Sequence, residues 1–553
     1  MRMPCIITLL ALAGIASAAT VEVSWDITWV NASPDGYERP VIGINGVWPC
    51  PLLEATVGDT IIAHVHNKLG NETTGLHWHG ITQKGSQEMD GPVAGTQCPI
   101  PPGSSVTYKF LADKPGTFWY HSHQQGQYPD GLRGPFIIHD PDDPYKGQVD
   151  DEIVLSCSDW YHSQSIPIVQ EMLSPSNTDF RPPIPDSIIL NEGGGNKLYF
   201  EKGKTYRLRI ISFAAFGSCM IDFDSHPFEI IMQDASYITK TKATQIRLAA
   251  GQRYDVLLSA PSNSTANYPF LFSLDFNPDY HNPVAGWKFN ETGYIVLDKS
   301  RPTTSVDVVH TWDPVDDLLF TNPYGDGPLG PLATTITLDF TFCFDNYSVP
   351  RACFNGHPYV PQLVPSLYTA ATTGDDNDDP VVYGGANAYV APGGHVVDIV
   401  INNLDAAIHP FHLHGHQFQV LDRPAAGAGS FSGSTAGFRA RPASKDTVSV
   451  NGNSYAVLRF RADNPGVWLF HCHIEWHVEM GLTATIVEAP DKIRGKAFPQ
   501  DHINLCKAQG LPYRGNAAGN TVNYTDTDGM LFVNPPVYTG YGVREASVSF
   551  QEG

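Results

Sequence analysis

Between residues 21 and 140 the apolar positions fall in short runs cut by Gly, Pro and Asn, as in Val57-Gly58-Asp59-Thr60-Ile61-Ile62-Ala63-His64-Val65. β-Branched residues pack well on a pleated surface, while Gly, Pro, Asn and Asp supply the turns between runs. Strands at this spacing predict an all-β sandwich or barrel. The same grammar returns from 201 to 210, closes at 250–256, and returns again from 391 to 400. Such self-similarity points to one unit copied along the chain. A length of 553 residues suits three or four units of about 150 residues each, and Pro/Asp-containing stretches set boundaries near residues 150 and 305. The expected units are 19–150, 151–305 and 306–553.

One stretch makes the duplication sharp. Residues 112–123 read ADKPGTFWYHSH and residues 462–473 read ADNPGVWLFHCH, with no gap, so Ser122 stands where Cys472 stands. His77-Trp78-His79-Gly80 likewise lies over His412-Leu413-His414-Gly415. The first and third units thus carry two His-x-His pairs each, and face to face they would enclose eight imidazoles. The middle unit lacks these pairs and reads as a spacer.

The densest chemistry is His471-Cys472-His473-Ile474-Glu475-Trp476-His477. Alternate residues of a strand face opposite sides, so His471 and His473 would point one way and the Cys472 sulfur the other. That suits two metal sites joined by a few covalent bonds. A thiolate with two imidazoles and a weak or absent axial ligand is the blue-copper pattern. Cys472 and His477 supply two of its ligands, and the segment His409-Pro410-Phe411-His412-Leu413-His414-Gly415-His416 offers the third. Cys/His clusters are more often zinc sites, but here two further pairs, His77/His79 and His121/His123, accompany the cluster and Cys-x-x-Cys is absent.

The N-terminus has a basic start, an apolar run from Ile6 to Ile15 and then Ala16-Ser17-Ala18, the form of a secretory leader. A leader at 1–18 and a mature start near Ala19 are expected. No later stretch approaches the roughly 18 apolar residues of a membrane span, and six Asn-x-Ser/Thr sequons (Asn31, Asn71, Asn263, Asn290, Asn346, Asn523) fit a secreted, extracellular glycoprotein. A formal charge of −23 argues against nucleic acid as a partner, which needs a basic surface. Without Cys5 and Cys472, seven of the nine cysteines remain, so at least one is unpaired within the chain. Cys343 and Cys353 could close a local loop.

Taken together, HWHG, HSH, HPFHLHGH and HCHIEWHVEMGL resemble the motifs of the multicopper oxidases, fungal laccases and ferroxidases among them, over nearly the whole mature chain. The resemblance implies three cupredoxin-like Greek-key β-sandwich domains and four coppers per chain: one type 1, one type 2 and two type 3. It implies type 1 ligands at His409, Cys472 and His477, and type 2 ligands at His77 and His412. His79, His121, His123, His414, His471 and His473 match the type 3 ligands. His64, His66, His395 and His416 match none of these roles. Electrons would enter beside His409 and His477, pass through Cys472 to His471 and His473, and reduce dioxygen to water. Asp90 and Glu475 match the family's proton-relay carboxylates, although Asp90 before Gly91 is equally a turn residue. The position ten after Cys472 is Leu482, which cannot coordinate, and loss of the axial ligand raises the copper potential. Met480 sits two residues too early for that role.

For the reductant, Asp405, four residues before His409, matches one ferroxidase carboxylate, whereas a second falls at Pro182 and is missing. A third would fall somewhere in 275–279. The expectation is a secreted, monomeric laccase-type oxidase acting on phenolic or aromatic reductants, with Asp405 as acceptor of the phenolic proton. A ferroxidase oxidising ferrous iron is the alternative, and the stretch ADNPGVWLFHCHIEWH leans toward it. A copper-storage protein would tolerate missing ligands, and here all eleven are present.

Overall fold

The computed structural model describes residues 18–532 except 224–225, 265, 276–288, 305–308, 310 and 326. The expected leader, apart from Ala18, and part of the 275–279 segment lie outside the described residues.

Three two-sheet sandwiches follow one another along the chain, and each repeats one topology. Strand Thr20–Ala32 pairs parallel with Thr60–Asn67, Asp151–Trp160 with Thr205–Ser212, and Thr334–Phe344 with Val396–Asn403. The facing sheets hold their own parallel pair each, Leu53–Thr56 with Arg133–His139, Lys197–Tyr199 with Asn290–Val296, and Ala388–Ala391 with Thr483–Glu488. Alternation places the side chains as the sequence predicts: in Thr60–Asn67, Ile61, Ala63 and Val65 are buried while His64 and His66 face outward. His64 meets Glu22 at 2.8 Å and His66 meets Asp26 at 3.4 Å, away from every metal-ligand cluster.

The duplication holds to the residue. Leu76 pairs with Ser122 and His77 with His121 in the first unit; Phe411 pairs with Cys472 and His412 with His471 in the third. Strands Gly116–Ser122 and Gly466–Cys472 are buried along their whole length, one face on their own core and the other on the junction between units. The third unit also reaches back over the first. Its helix Gln500–Ala508 is fixed by the Cys98–Cys506 disulfide and by Asp501, which accepts from the Thr107 N–H at 2.9 Å. Cys157–Cys219 lies inside the second unit, and Cys343–Cys353 closes the expected local loop. Among the described residues Cys50 and Cys472 remain unpaired.

Candidate metal centres

At the outer end of the third unit, three donors meet. His409 opens strand His409–Leu413, Cys472 ends strand Gly466–Cys472, and His477 comes from the short helix Glu475–Glu479. The Cys472 Sγ is 3.6 Å from His477 Nδ1 and 3.9 Å from His409 Nδ1, and the two nitrogens are 3.2 Å apart. All three side chains are buried. Burial pushes the Cys472 thiol up and, with the neighbouring His409, holds His477 well below its usual range. Metal binding would replace the thiol proton and use the neutral imidazoles, which are the ligand forms. Leu482 is fully buried in the same core, with its N–H on His477 O at 2.9 Å and its carbonyl on the Cys472 N–H at 3.1 Å. Its side chain offers no donor atom, and the group holds three donors.

The other eight histidines line a pocket between the first and third units. Three groups form there, His77/His79/His412, His79/His121/His473 and His123/His414/His471, each with ligand atoms within 4.8 Å of one another. Burial first, and then the neighbouring imidazoles, hold His79, His121, His123, His414 and His473 well below the usual histidine range. The Nε2 atoms of His77, His121 and His412 are buried without a hydrogen-bond partner. Buried polar atoms are rarely left so, and convergent neutral imidazoles with vacant lone pairs fit copper ions bridging them. Backbone carbonyls set the rings: Asp90 O accepts from His77 Nδ1, Ser122 O from His121 Nδ1, Asp446 O from His412 Nδ1, all at 2.9 Å.

Family models described as multicopper oxidase match residues 26–143, 151–293 and 359–492. An iron transport multicopper oxidase of Epichloe festucae, fetC, is 43% identical over 537 residues, 96% of this chain and 86% of that one. The chain belongs to the multicopper oxidase family. A second relative, the iron transport multicopper oxidase fio1 of Schizosaccharomyces pombe, is 38% identical over 91% of this chain and 82% of its own. Among solved structures, Fet3p, a multicopper oxidase that functions in iron import, matches with a TM-score of 0.89 at 32% identity, covering 93% of this chain and 99% of that one. The laccase from Botrytis aclada matches with a TM-score of 0.76 at 27% identity, covering 89% and 92%. The three sandwiches are thus the cupredoxin-like domains of this family, and the enzyme uses four copper ions of types 1, 2 and 3.

All eleven sequence-predicted donors fall into the four groups, and Asp90 is both a turn residue and a neighbour of one of them. It precedes Gly91, whose φ of +95° makes the turn, and its Oδ2 accepts from His414 Nδ1 at 2.8 Å. Glu475 is buried and takes the Gly126 N–H; burial first, and then Glu479, raise it well above the usual carboxylate range. His416 and His395 are bound elsewhere, to Glu488 and Thr334. Sequence reasoning missed Asp446 of the third unit and Arg253 of the middle one. Asp446 sits against His412 and His79, and Arg253 grips it at 2.7 and 2.8 Å. The middle unit supplies no histidine to these groups, as expected, yet it does more than separate the other two.

Beside His409 and His477 opens a groove of about 940 Å³ lined by Asp405, Asp179, Asp275, Pro182, Phe180, Phe216 and Phe342 among others. Asp405 Oδ2 lies 3.0 Å from His409 Nε2. Burial opposes its ionisation, but the His409 bond and charge outweigh it and hold Asp405 down to about 2. Pro182 is in the groove, so no carboxylate stands at that position. Asp179, three residues earlier, lines the same wall, paired with Arg181 at 2.8 Å, and Asp275 is paired with Arg247 at 2.7 Å.

Proposed function

We propose that this multicopper oxidase takes its electrons from ferrous iron outside the cell, with His409, Cys472 and His477 as type 1 ligands and the eight pocket histidines as type 2 and type 3 ligands. When bound, the copper ions supply one-electron oxidation of the reductant and four-electron reduction of dioxygen to water. The observation that carries the iron reading is Asp405: an anionic oxygen, hydrogen-bonded to a type 1 histidine, opens on a groove that holds two more carboxylates, Asp179 and Asp275. Carboxylate oxygens are the hard donors that suit a small divalent cation, and the Asp405–His409 bond gives an electron a short path inward. The iron-transport names of the relatives support the same choice over the phenol reading that the sequence favours. Asp90 and Glu475 would deliver protons to the oxygen side. Three disulfides and the leader-like N-terminus support an oxidising, secreted setting.

Phenols remain a second reading on one observation. Phe180, Phe216 and Phe342 give the groove apolar walls, and Pro182 replaces a carboxylate. Steady-state kinetics with ferrous iron against a phenol panel separate the two. Expected are a micromolar KM for ferrous iron and a rise of that KM in Asp405→Ala by about 10- to 100-fold, the scale of losing one group beside a metal. High phenol turnover with millimolar iron KM would return the assignment to a laccase.

A further inference from the structure

His79 is turned over relative to the other seven imidazoles of the trinuclear pocket. His77, His121, His412, His414 and His471 all give Nδ1 to an oxygen at 2.8 to 2.9 Å, leaving Nε2 inward. His123 and His473 also face inward through Nε2, 3.5 Å from His471 Nε2 and 3.2 Å from His79 Nδ1. For His79 the inward atom is Nδ1. Its Nε2 points away, 3.3 Å from Asp446 Oδ1 and 3.5 Å from Thr447 Oγ1. Which ring nitrogen meets a metal is set by the bond that the other one makes, so the group that turns His79 is Asp446.

A carboxylate with no exposure cannot stay there unpaired. Arg253 Nη1 and Nη2 reach Asp446 Oδ1 and Oδ2 at 2.7 and 2.8 Å, a bidentate pair buried on both sides. The guanidinium is itself fixed, with Nε on Thr117 O at 2.9 Å and Nη1 on Gly251 O at 3.0 Å. Asp234 ties the two ends together: it accepts from the Arg253 N–H at 2.9 Å and from the Thr447 N–H at 3.2 Å. Residues from all three domains therefore meet behind one imidazole. Room for them comes from Gly80, next to His79. A Cβ on Gly80, whose φ is +91°, would lie 2.5 Å from Arg253 Nη2 and 3.1 Å from Asp446 Oδ2.

Asp90 is the counterpart of Asp446 in the first domain. Each aspartate holds a histidine of its own domain through its carbonyl, His77 or His412, and reaches one of the opposite domain through its carboxylate, His414 or His79. Only Asp446 carries a guanidinium; Asp90 Oδ1 makes no hydrogen bond and faces His77 Nδ1 at 3.3 Å. One arm of the clamp rests on imidazoles alone, and the other is locked by a cation.

We infer that Asp446 and Arg253 are a positioning pair: the guanidinium of the middle domain holds the Asp446 carboxylate as acceptor for His79 Nε2–H, and so presents His79 Nδ1 to the paired-copper side. Two charge-neutral double variants test this, and both equally remove the guanidinium that lies 3.5 Å from buried Asp234. Asp446→Leu/Arg253→Met removes the acceptor, whereas Asp446→Asn/Arg253→Gln keeps an oxygen in place. The readouts are the blue band as internal control, the near-ultraviolet band of the coupled coppers, and copper retention against a competing chelator. The Leu/Met chain should keep its blue band, lose the coupled-pair band, and hold trinuclear copper roughly 10- to 100-fold more weakly, the usual cost of losing a partner behind a metal ligand. The Asn/Gln chain should recover most of both. Full retention in the Leu/Met chain overturns the inference, as does equal impairment of the two variants. Failure of the Leu/Met chain to fold with its blue site intact also overturns it, because the pair would then be a structural bridge only.

Discussion

The outer ends of the first and third domains share a loop and differ in what it carries. Ser122 N–H bonds Leu132 O at 2.9 Å and Leu132 N–H bonds Gln127 O at 3.4 Å; the matching bonds of the third domain run from Cys472 to Leu482 at 3.1 Å and from Leu482 to His477 at 2.9 Å. Thr74 stands three residues before His77, as His409 stands three before His412. Thr74, Ser122 and Gln127 are therefore the first domain's version of His409, Cys472 and His477. In the first domain the Ser122 hydroxyl donates to Gln127 Oε1 at 2.8 Å, and the Gln127 amide goes to Thr73 O at 2.7 Å and Glu72 Oε2 at 3.0 Å. Ser122 and Gln127 thus satisfy each other, while Thr74 Oγ1 is buried without a hydrogen-bond partner. In the third domain a thiol and two imidazoles face each other with no oxygen between them, and a metal is what completes them. The difference teaches that a change of side chains on a shared scaffold separates a hydrogen-bonded Ser/Gln pair from a set of soft donors that a metal completes.

The largest expected effect comes from writing the first domain's residue into the third. Cys472→Ser should remove the visible blue band and bring turnover below detection, because the thiolate that gives the colour and links to His471 and His473 is gone. Copper analysis should find the trinuclear histidines still occupied. A colourless variant with wild-type turnover would mean that electrons enter by another path.

Glu475 faces the same comparison, since its counterpart in the first domain is Gln125. Burial and Glu479 raise the Glu475 carboxyl well above the usual range, which favours a bound proton that a glutamine cannot release. Glu475→Gln should slow reoxidation of the reduced enzyme by oxygen about 100- to 10,000-fold, the reach of general acid catalysis. Anaerobic bleaching of the blue band, which needs no proton from this side, should be near normal. Slow bleaching with normal reoxidation would remove Glu475 from the relay.

Much of this was legible in the sequence because the ligands are local: His-x-His on a strand and Cys472 five residues before His477 encode their own geometry. The all-β class and the duplication were legible for the same reason. Asp446 was not, although Asp90 was, because the duplicated positions have drifted. Asp90 lies 13 residues after His77, but Asp446 lies 34 after His412. Arg253 sits in the domain whose repeat has no histidines, so no motif draws attention to it. The groove was partly legible: Asp405 is tied to His409 by four residues of chain, and Asp275, the last residue of strand Tyr268–Asp275, opens the 275–279 stretch where a third carboxylate was expected, whereas only folding brings Asp179 to the same wall. Cys98 and Cys506, 408 residues apart, illustrate the same limit.

The smallest expected effect concerns the one position at which the two loops agree. Leucine fills it in both, as Leu132 and Leu482, each fully buried and each bonded through its carbonyl to the residue aligned with the cysteine. Leucine to methionine nearly conserves volume and costs less than about 1.5 kcal/mol in a packed core, so both variants should fold. In Leu482→Met the thioether enters the core that holds Cys472 and can act as a weak axial donor, which lowers the potential of a trigonal copper site. A drop on the order of 60 to 120 mV is expected, a ten- to hundredfold change in the one-electron equilibrium, with the blue band retained. Leu132→Met meets Ser122 and Gln127 instead, and should change neither colour nor potential. Redox titration of the blue band in the two variants decides the matter. An unchanged potential in Leu482→Met would show that this side chain does not lie over the metal, and an equal shift in Leu132→Met would show that the effect is not local to the site.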